Sequence, residues 1–268
     1  MRVLIMKVRD VMTTEIISVD KDIELKHVMR LMKKNDVTKI PILEEKELVG
    51  VVTDTAIAVK LGAIRSRGVP ASRLHASSVM EKEINIVHPD DEVATILSKV
   101  GEPGPTILHV VEDNDLVGVV TKADLLPFVD STQAVSEIMR TEIHSVSPDD
   151  RVIHARRRMI DESVARLPVI NNGMLIGMIS DIDIAFSLAK IKKLFPLGKQ
   201  KHQLDELLVN DVMKVPVISA ESDKTVKEIA EMMIEHQIGS VPITENKKIA
   251  GIVSRTDVLK TINLEEES

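Results

Sequence analysis

The chain has 268 residues, enough for about two domains, and 44% of them are apolar: Val, Ile, Leu and Met, with no Trp or Tyr and three Phe. A net charge of −7 excludes the broad basic face of a general nucleic-acid or anionic-membrane binder. The lack of cysteine excludes a disulfide framework, a thiolate metal site and a cysteine nucleophile, and agrees with a cytoplasmic location.

In chain order, the apolar run Val3 to Met6 is too short for a signal peptide. No later run approaches the roughly 18 apolar residues of a membrane span, so a soluble protein is expected. A first unit opens at Val11-Met12 with a β-like run, EIISV. Asp22, ten residues past the methionine, is expected to accept from the free N–H groups that open a helix. Leu25, Val28 and Met32 mark one face of that helix. Then come KIPIL, a polar turn, a second strand, and GVVTDTAIA from Gly50, which leads into a second amphipathic helix. The unit reads β-α-β-β-α.

Three more units come in the same order, opening at Met80, Met139 and Met213. Met12 to Gly50, Met80 to Gly118, Met139 to Gly177 and Met213 to Gly251 each span 38 residues. No insertion or deletion interrupts four copies, so this is a repeat and not coincidence. Asn171-Asn172-Gly173 is a strong hairpin signal in the third. One unit alone leaves an apolar face uncovered, and pairing 1 with 2 and 3 with 4 would bury it. The boundaries expected are 8–64, 76–130, 135–193 and 209–264.

The unit, the Asp-Val-Met opening of copies 1 and 4, the Pro-Val or Pro-Ile strand and the phrase G-h-h-[ST]-x-x-D (h apolar) together resemble the CBS domain. Four copies without an attached enzyme are similar to the gamma regulatory subunit of AMP-activated kinase and its stand-alone microbial relatives. The likeness runs from about Val8 to Ile262. It implies a mixed α/β fold of two CBS pairs forming a flat disc, with ligand phosphates pointing inward. The implied ligands are AMP, ADP, ATP, S-adenosylmethionine or related adenosyl compounds.

The repeated phrase has two readings. In one, Thr121 or Ser254 caps a helix while Asp124 or Asp257 reaches back, a capping box. In the other, the free N–H groups of the helix start meet a phosphate and the acceptor-only carboxylate takes a ribose cis-diol. The resemblance implies the second, with Asp124, Asp183 and Asp257 as ribose residues and Thr53, Thr121, Ser180, Ser254 and Thr256 on the phosphate side. Adenine would lie on Ile16, Ile84, Ile143 and Val217, four residues after each methionine; these positions are equally compatible with plain core. Lys39 and Arg166, two residues before the strand prolines of copies 1 and 3, are the phosphate cations that the resemblance implies, where copies 2 and 4 have Ile107 and Ser240. Copy 2 also replaces the strand proline by His109. The first copy has Ala56 in place of the aspartate, and Asp54 lies two positions early, about 200° around a helix. A weak or empty site is therefore expected beside Ala56.

Two features fall outside the phrase. Arg156 takes a helix slot filled by Met29, Leu97 and Ala230 elsewhere, and needs a partner or an anion unless it stands at a solvated edge. Between Thr55 and Met80 there is no acid but Lys60, Arg65, Arg67 and Arg73; between Ile184 and Leu204 there is none but Lys190, Lys192, Lys193, Lys199 and Lys201. These stretches are either solvated linkers or an anion- or partner-binding face beside the ligand clefts.

The expected function is a non-catalytic sensor that binds an adenine nucleotide and signals its level to a regulated protein partner, as a monomeric disc or a homodimer. The alternative keeps the fold and takes S-adenosylmethionine or methylthioadenosine. An enzyme finds no P-loop, catalytic triad or metal-ligand spacing in the sequence, and a nucleic-acid partner is disfavoured by the charge.

Overall fold

The computed structural model describes residues 6–35, 37–62, 73–102, 107–195, 197–246 and 248–262. In the first repeat, helix α1 (Val8–Val11) precedes β1 (Val19–Asp20), α2 (Leu25–Asn35), β2 (Lys39–Glu44), β3 (Glu47–Thr53) and α3 (Asp54–Gly62). The second holds β4 (Asn85–Val87), α4 (Val93–Val100), β5 (Ile107–Glu112), β6 (Asp115–Thr121) and α5 (Lys122–Leu125). The third holds α6 (Val152–Asp161), β7 (Arg166–Asn171), β8 (Met174–Ser180), α7 (Asp181–Leu194) and α8 (Leu197–Glu206). The fourth holds β9 (Ala220–Glu221), α9 (Val226–Glu235), β10 (Ser240–Glu245), β11 (Lys248–Ser254) and α10 (Arg255–Leu259).

The strands form two three-stranded sheets, β1-β2-β3 and β4-β5-β6, and one of five, β7-β8-β11-β10-β9. Every repeat contains an antiparallel hairpin whose register slips one pair beyond its glycine: Ile42 faces Gly50, Val110 Gly118, Val169 Gly177 and Ile243 Gly251. Such a bulge bends the strand and re-aims its far end, here the Ser/Thr and the helix. The hairpin expected at Asn172-Gly173 turns with φ of 48° and 77°, the conformation these residues tolerate best. The first β run of each unit shrinks to its end. Ile16, Ile84, Ile143 and Val217 precede the paired residues and are half-buried.

The repeated glycine makes room for a methionine. A Cβ on Gly118 would lie 2.5 Å from Met12 Sδ, on Gly177 2.5 Å from Met213 Sδ, on Gly251 2.5 Å from Met139 Sδ and on Gly50 3.2 Å from Met80 Sδ. Each methionine thus packs on the glycine of its sister repeat, 1 with 2 and 3 with 4. Backbone bridges accompany the exchange, Thr13 with Val119, Glu81 with Val51, Arg140 with Ile252 and Lys214 with Met178. Gly50 is the least forgiving case, because its added Cβ would meet the Glu81 carbonyl oxygen at 2.7 Å, and a backbone atom cannot rotate away. Gly50→Ala is expected to cost about 1–3 kcal/mol in urea unfolding, more than Gly118→Ala, where the flexible Met12 side chain can yield.

The apolar cores obey a second pairing that the sequence did not indicate. One core joins repeats 1 and 3, with Leu25, Val28, Ile57 and Leu61 packed among Val152, Met159, Ile184 and Leu188. The other joins repeats 2 and 4, with Val93, Ile96, Leu125 and Leu126 among Val226, Ile229, Val258 and Leu259. Hairpins and methionines therefore connect within modules while helices connect between them, which closes the four repeats into a ring.

The aspartates ten residues past the methionines do not cap helices as expected. Helices α4 and α6 have Glu92 and Arg151 at their caps with no side-chain bond, and Thr225 caps α9 by accepting from Glu228 N–H. Acids of the preceding turn bond locally instead: Asp20 accepts from Asp22 N–H, Asp91 from His88 N–H and Asp150 from Ser147 N–H. Short polar side chains readily compete in this way with a helix cap.

Candidate functional site

The residues that end β3, β6, β8 and β11 are Thr53, Thr121, Ser180 and Ser254, and each starts a helix. In three repeats the aspartate three residues on closes a capping box. Asp124 Oδ2 accepts from Thr121 N–H and Oγ1–H, both at 2.7 Å. Asp257 Oδ2 accepts from Ser254 N–H at 2.9 Å and Oγ–H at 2.6 Å. Asp183 Oδ2 accepts from Ser180 N–H at 3.0 Å and from its hydroxyl. The capping reading of the phrase is therefore realised with one carboxylate oxygen. The other oxygen turns to the residue after the sister repeat's methionine: Asp124 Oδ1 accepts from Thr13 Oγ1–H at 2.7 Å, Asp257 Oδ1 from Arg140 Nη2–H at 3.1 Å, and Asp183 Oδ1 lies 3.4 Å from Lys214 Nζ. A carboxylate offers about four lone-pair sites; Asp124 uses three and keeps one, whereas Asp257 uses four, two of them for Arg140 Nε–H and Nη2–H, so a ribose diol there would exchange with Arg140.

This assembles each cleft from two repeats. Ile16, three residues beyond Thr13, belongs with Asp124, and Ile143 and Val217 belong with Asp257 and Asp183. Ile84 lies three residues after Glu81, whose Oε1 accepts from Thr53 Oγ1–H at 3.3 Å. A cavity of about 450 Å³ opens beside Asp257, lined also by Ser131, Gln133, Ile138, Lys260 and Thr261.

The helix starts converge on a charged centre. The first helical residues are Asp54, Lys122, Asp181 and Arg255. Asp54 and Asp181 share the centre between repeats 1 and 3, where Thr55 Oγ1–H donates to Asp181 Oδ2 at 2.8 Å. Burial pushes the Asp54 carboxyl up and brings Asp181 up to about 6. Between repeats 2 and 4, Lys122 Nζ donates to Thr256 Oγ1 at 2.6 Å. Burial, helped by repulsion from Lys39, lowers Lys122 to about 8. Lys39 is itself pushed down by burial, within the fields of Asp54, Arg255, Arg166 and Asp124. Arg166 reaches across to repeat 4, and Gly239 admits it, since a Cβ there would lie 2.7 Å from Nη1. Lys122, Arg255, Thr13, Arg140 and Lys214 were missed in the sequence. Reading the slot after each methionine against the sixth slot of its sister would have found the last three.

Arg156 finds the partner its slot demanded: its guanidinium donates to the Ala58 and Val59 carbonyls of α3, both at 3.1 Å. His109 is fully buried, its Nδ1 3.3 Å from the Asn85 carbonyl oxygen, and burial lowers its pKa. Of the basic stretches, Lys60 and Lys190 stand well along their helices. Lys60 lies six residues along α3 and Lys190 nine along α7, about 9 and 13 Å from the helix starts at 1.5 Å per residue. Lys192 is buried, its carbonyl accepting from Gln200 Nε2–H. Arg65 and Arg67 lie outside the described residues.

Four interlocked β-α-β-β-α repeats with these caps define a tandem CBS-domain protein, and residues 8–62, 76–131, 135–190 and 209–264 each match the CBS domain, so the chain belongs to that family. It is similar to protein MJ1225 of Methanocaldococcus jannaschii, 24% identical over 269 residues that cover 92% of this chain and 95% of that one. The crystal structure of MJ1225, a protein likened to γ-AMPK, superposes with a TM-score of 0.81 at 20% identity, covering 96% of this chain and all of that one. Protein MJ1404 of the same organism is 24% identical over 268 residues, which are 95% of this chain but 61% of that protein's length. Among the described residues, no helix is long and apolar enough to cross a membrane.

Proposed function

We propose that this chain is a non-catalytic, cytoplasmic regulatory protein that binds AMP, ADP or ATP and transmits their level to a protein partner. The observation that carries the reading is the convergence of three Ser/Thr–Asp caps on a centre holding Lys39, Lys122, Arg166 and Arg255. The carboxylates Asp124, Asp183 and Asp257 take ribose hydroxyls. Thr53, Thr121, Ser180, Ser254 and Thr256 stand with those cations on the phosphate side, and the half-buried Ile16, Ile84, Ile143 and Val217 receive adenine. AMP and ATP differ in phosphate charge, so they favour different arrangements of the central groups, and such differential binding is what a signal requires. Isothermal titration with AMP, ADP, ATP, S-adenosylmethionine and methylthioadenosine tests this; no binding below millimolar concentration overturns it. The S-adenosylmethionine alternative has its own support in Asp54 and Asp181, which place acids at two of the four helix starts and suit a cationic or phosphate-free ligand.

The depressed Lys122 supplies a pH signature. A nearby phosphate raises the pKa of this ammonium, so binding takes up a proton wherever the free protein has lost it. Affinity is then complete below about pH 8 and declines as pH rises through that value. AMP affinity is expected to fall roughly tenfold between pH 7 and 9, while adenosine affinity stays level and Lys122→Met abolishes the dependence. Calorimetry at the two pH values reads this directly.

A further inference from the structure

The empty site expected at Ala56 rests on that slot alone, but the fold brings a second slot against it. In three clefts the residue after the sister's methionine is a donor and the sixth slot an acceptor: Thr13 with Asp124, Arg140 with Asp257, Lys214 with Asp183. In the first cleft both change together. The sixth slot is Ala56, and the residue after Met80 is Glu81. Thr53 Oγ1 accepts from Ala56 N–H at 3.0 Å, and its O–H donates to Glu81 Oε1 at 3.3 Å. The hydroxyl–carboxylate contact of the other repeats is thus kept, with the carboxylate supplied by the neighbouring repeat. An aspartate at position 56 would face Glu81 with like charge, which accounts for the paired change.

Glu81 is fixed at its backbone. Its N–H donates to the Val51 carbonyl at 2.8 Å, Val51 N–H returns the bond at 3.0 Å, and the bare Cα of Gly50 allows this approach. Ile84, half-buried, stands three residues further on.

We infer that the first cleft is a fourth ribonucleoside site in which Glu81, in place of the missing aspartate, accepts the ribose cis-diol. Asp54 and Asp181 lie at this side of the ring together with Lys39, which faces Thr53 across the hairpin, and Arg166, so acids and cations offset one another there and the proposal concerns the ribonucleoside part of the ligand. The inference rests on the adenosine reading of the other clefts, and its test separates the two.

The probes are adenosine and 2′-deoxyadenosine, titrated calorimetrically into the full chain. The wild type is expected to bind four equivalents of adenosine, and Glu81→Gln, close in shape, to weaken one of them tenfold or more while leaving three. The 2′-deoxy compound should lose affinity at all four sites in the wild type. The exchange Glu81→Thr with Ala56→Asp rebuilds the arrangement of the second repeat, and should restore the equivalent that Glu81→Thr alone removes. Three equivalents in the wild type, unchanged by Glu81→Gln, would overturn the Glu81 site and leave the nucleotide reading standing. No adenosine binding by the wild type would overturn both. A thermal midpoint for Glu81→Gln within a degree or two of the wild type excludes loss of folding as the cause.

Discussion

Asp257→Ala is expected to remove one equivalent of bound adenine nucleotide, with a loss of affinity of about 10- to 100-fold at that site. The lost interaction is a charge-assisted acceptor for two hydroxyls, and hydrogen bonds to charged groups contribute about 1.5–3 kcal/mol, each 1.4 kcal/mol being tenfold. Asp257 should be the most sensitive of the three, because it is buried, 8% exposed, in a site closed on one side by Arg140. The same substitution removes a helix cap and so costs roughly 0.5–2 kcal/mol of stability. Asp257→Asn separates the roles. It keeps an acceptor for Ser254 N–H, so the thermal midpoint should stay near the wild type while affinity still falls. Asp124→Asn and Asp183→Asn are expected to act alike, each on its own equivalent. Unchanged stoichiometry in the triple Asn variant, with an intact melting curve, would assign the carboxylates to capping alone.

The repeat and its elements were legible because they rest on local physics: the period of apolar residues, the Asn172-Gly173 turn and the Ser/Thr–Asp phrase all act within a few residues of themselves. Contacts that cross between copies were not. Met12 and Gly50 keep a constant distance in the chain, yet Met12 packs on Gly118 and Gly50 receives Met80. Four copies with the same spacing look the same whether each contact closes within its own repeat or in its sister. The core pairing was hidden for a similar reason. The apolar faces of α3 and α7 state that each helix needs a cover, but not that each covers the other. The weak site at Ala56 was read from one slot because the partner slot, Glu81, lies 25 residues away, a distance that carries meaning only once the exchange is known. The centre was half legible. Lys39 and Arg166 come from the resemblance, whereas Lys122 and Arg255 sit inside the phrase at a position that varies in charge, Asp54, Lys122, Asp181, Arg255, and only the ring shows that like signs face each other.

That ring makes the contact between modules the most sensitive place for stability. Ile57 and Leu61 on α3 and Ile184 and Leu188 on α7 are 0–2% exposed and lie in one core. The two helices are also joined at their starts by the Thr55–Asp181 hydrogen bond. Ile184→Ala is expected to cost about 2–5 kcal/mol, since it removes buried methyl groups and leaves a cavity between two hydrogen-bonded helices that cannot easily close. Against a total of about 5–15 kcal/mol for a natural protein, that is a large fraction. Val59→Ala, on the 41% exposed side of the same helix pair, should change stability by less than about 0.5 kcal/mol. Urea unfolding monitored by circular dichroism measures both. Because α3 and α7 carry Asp54 and Asp181 at the charged centre, the first variant should also weaken nucleotide binding in proportion to the loosening of that centre. A cost below about 1 kcal/mol for Ile184→Ala, with affinity unchanged, would mean that the two modules fold and bind independently, and that the shared core does not couple their sites.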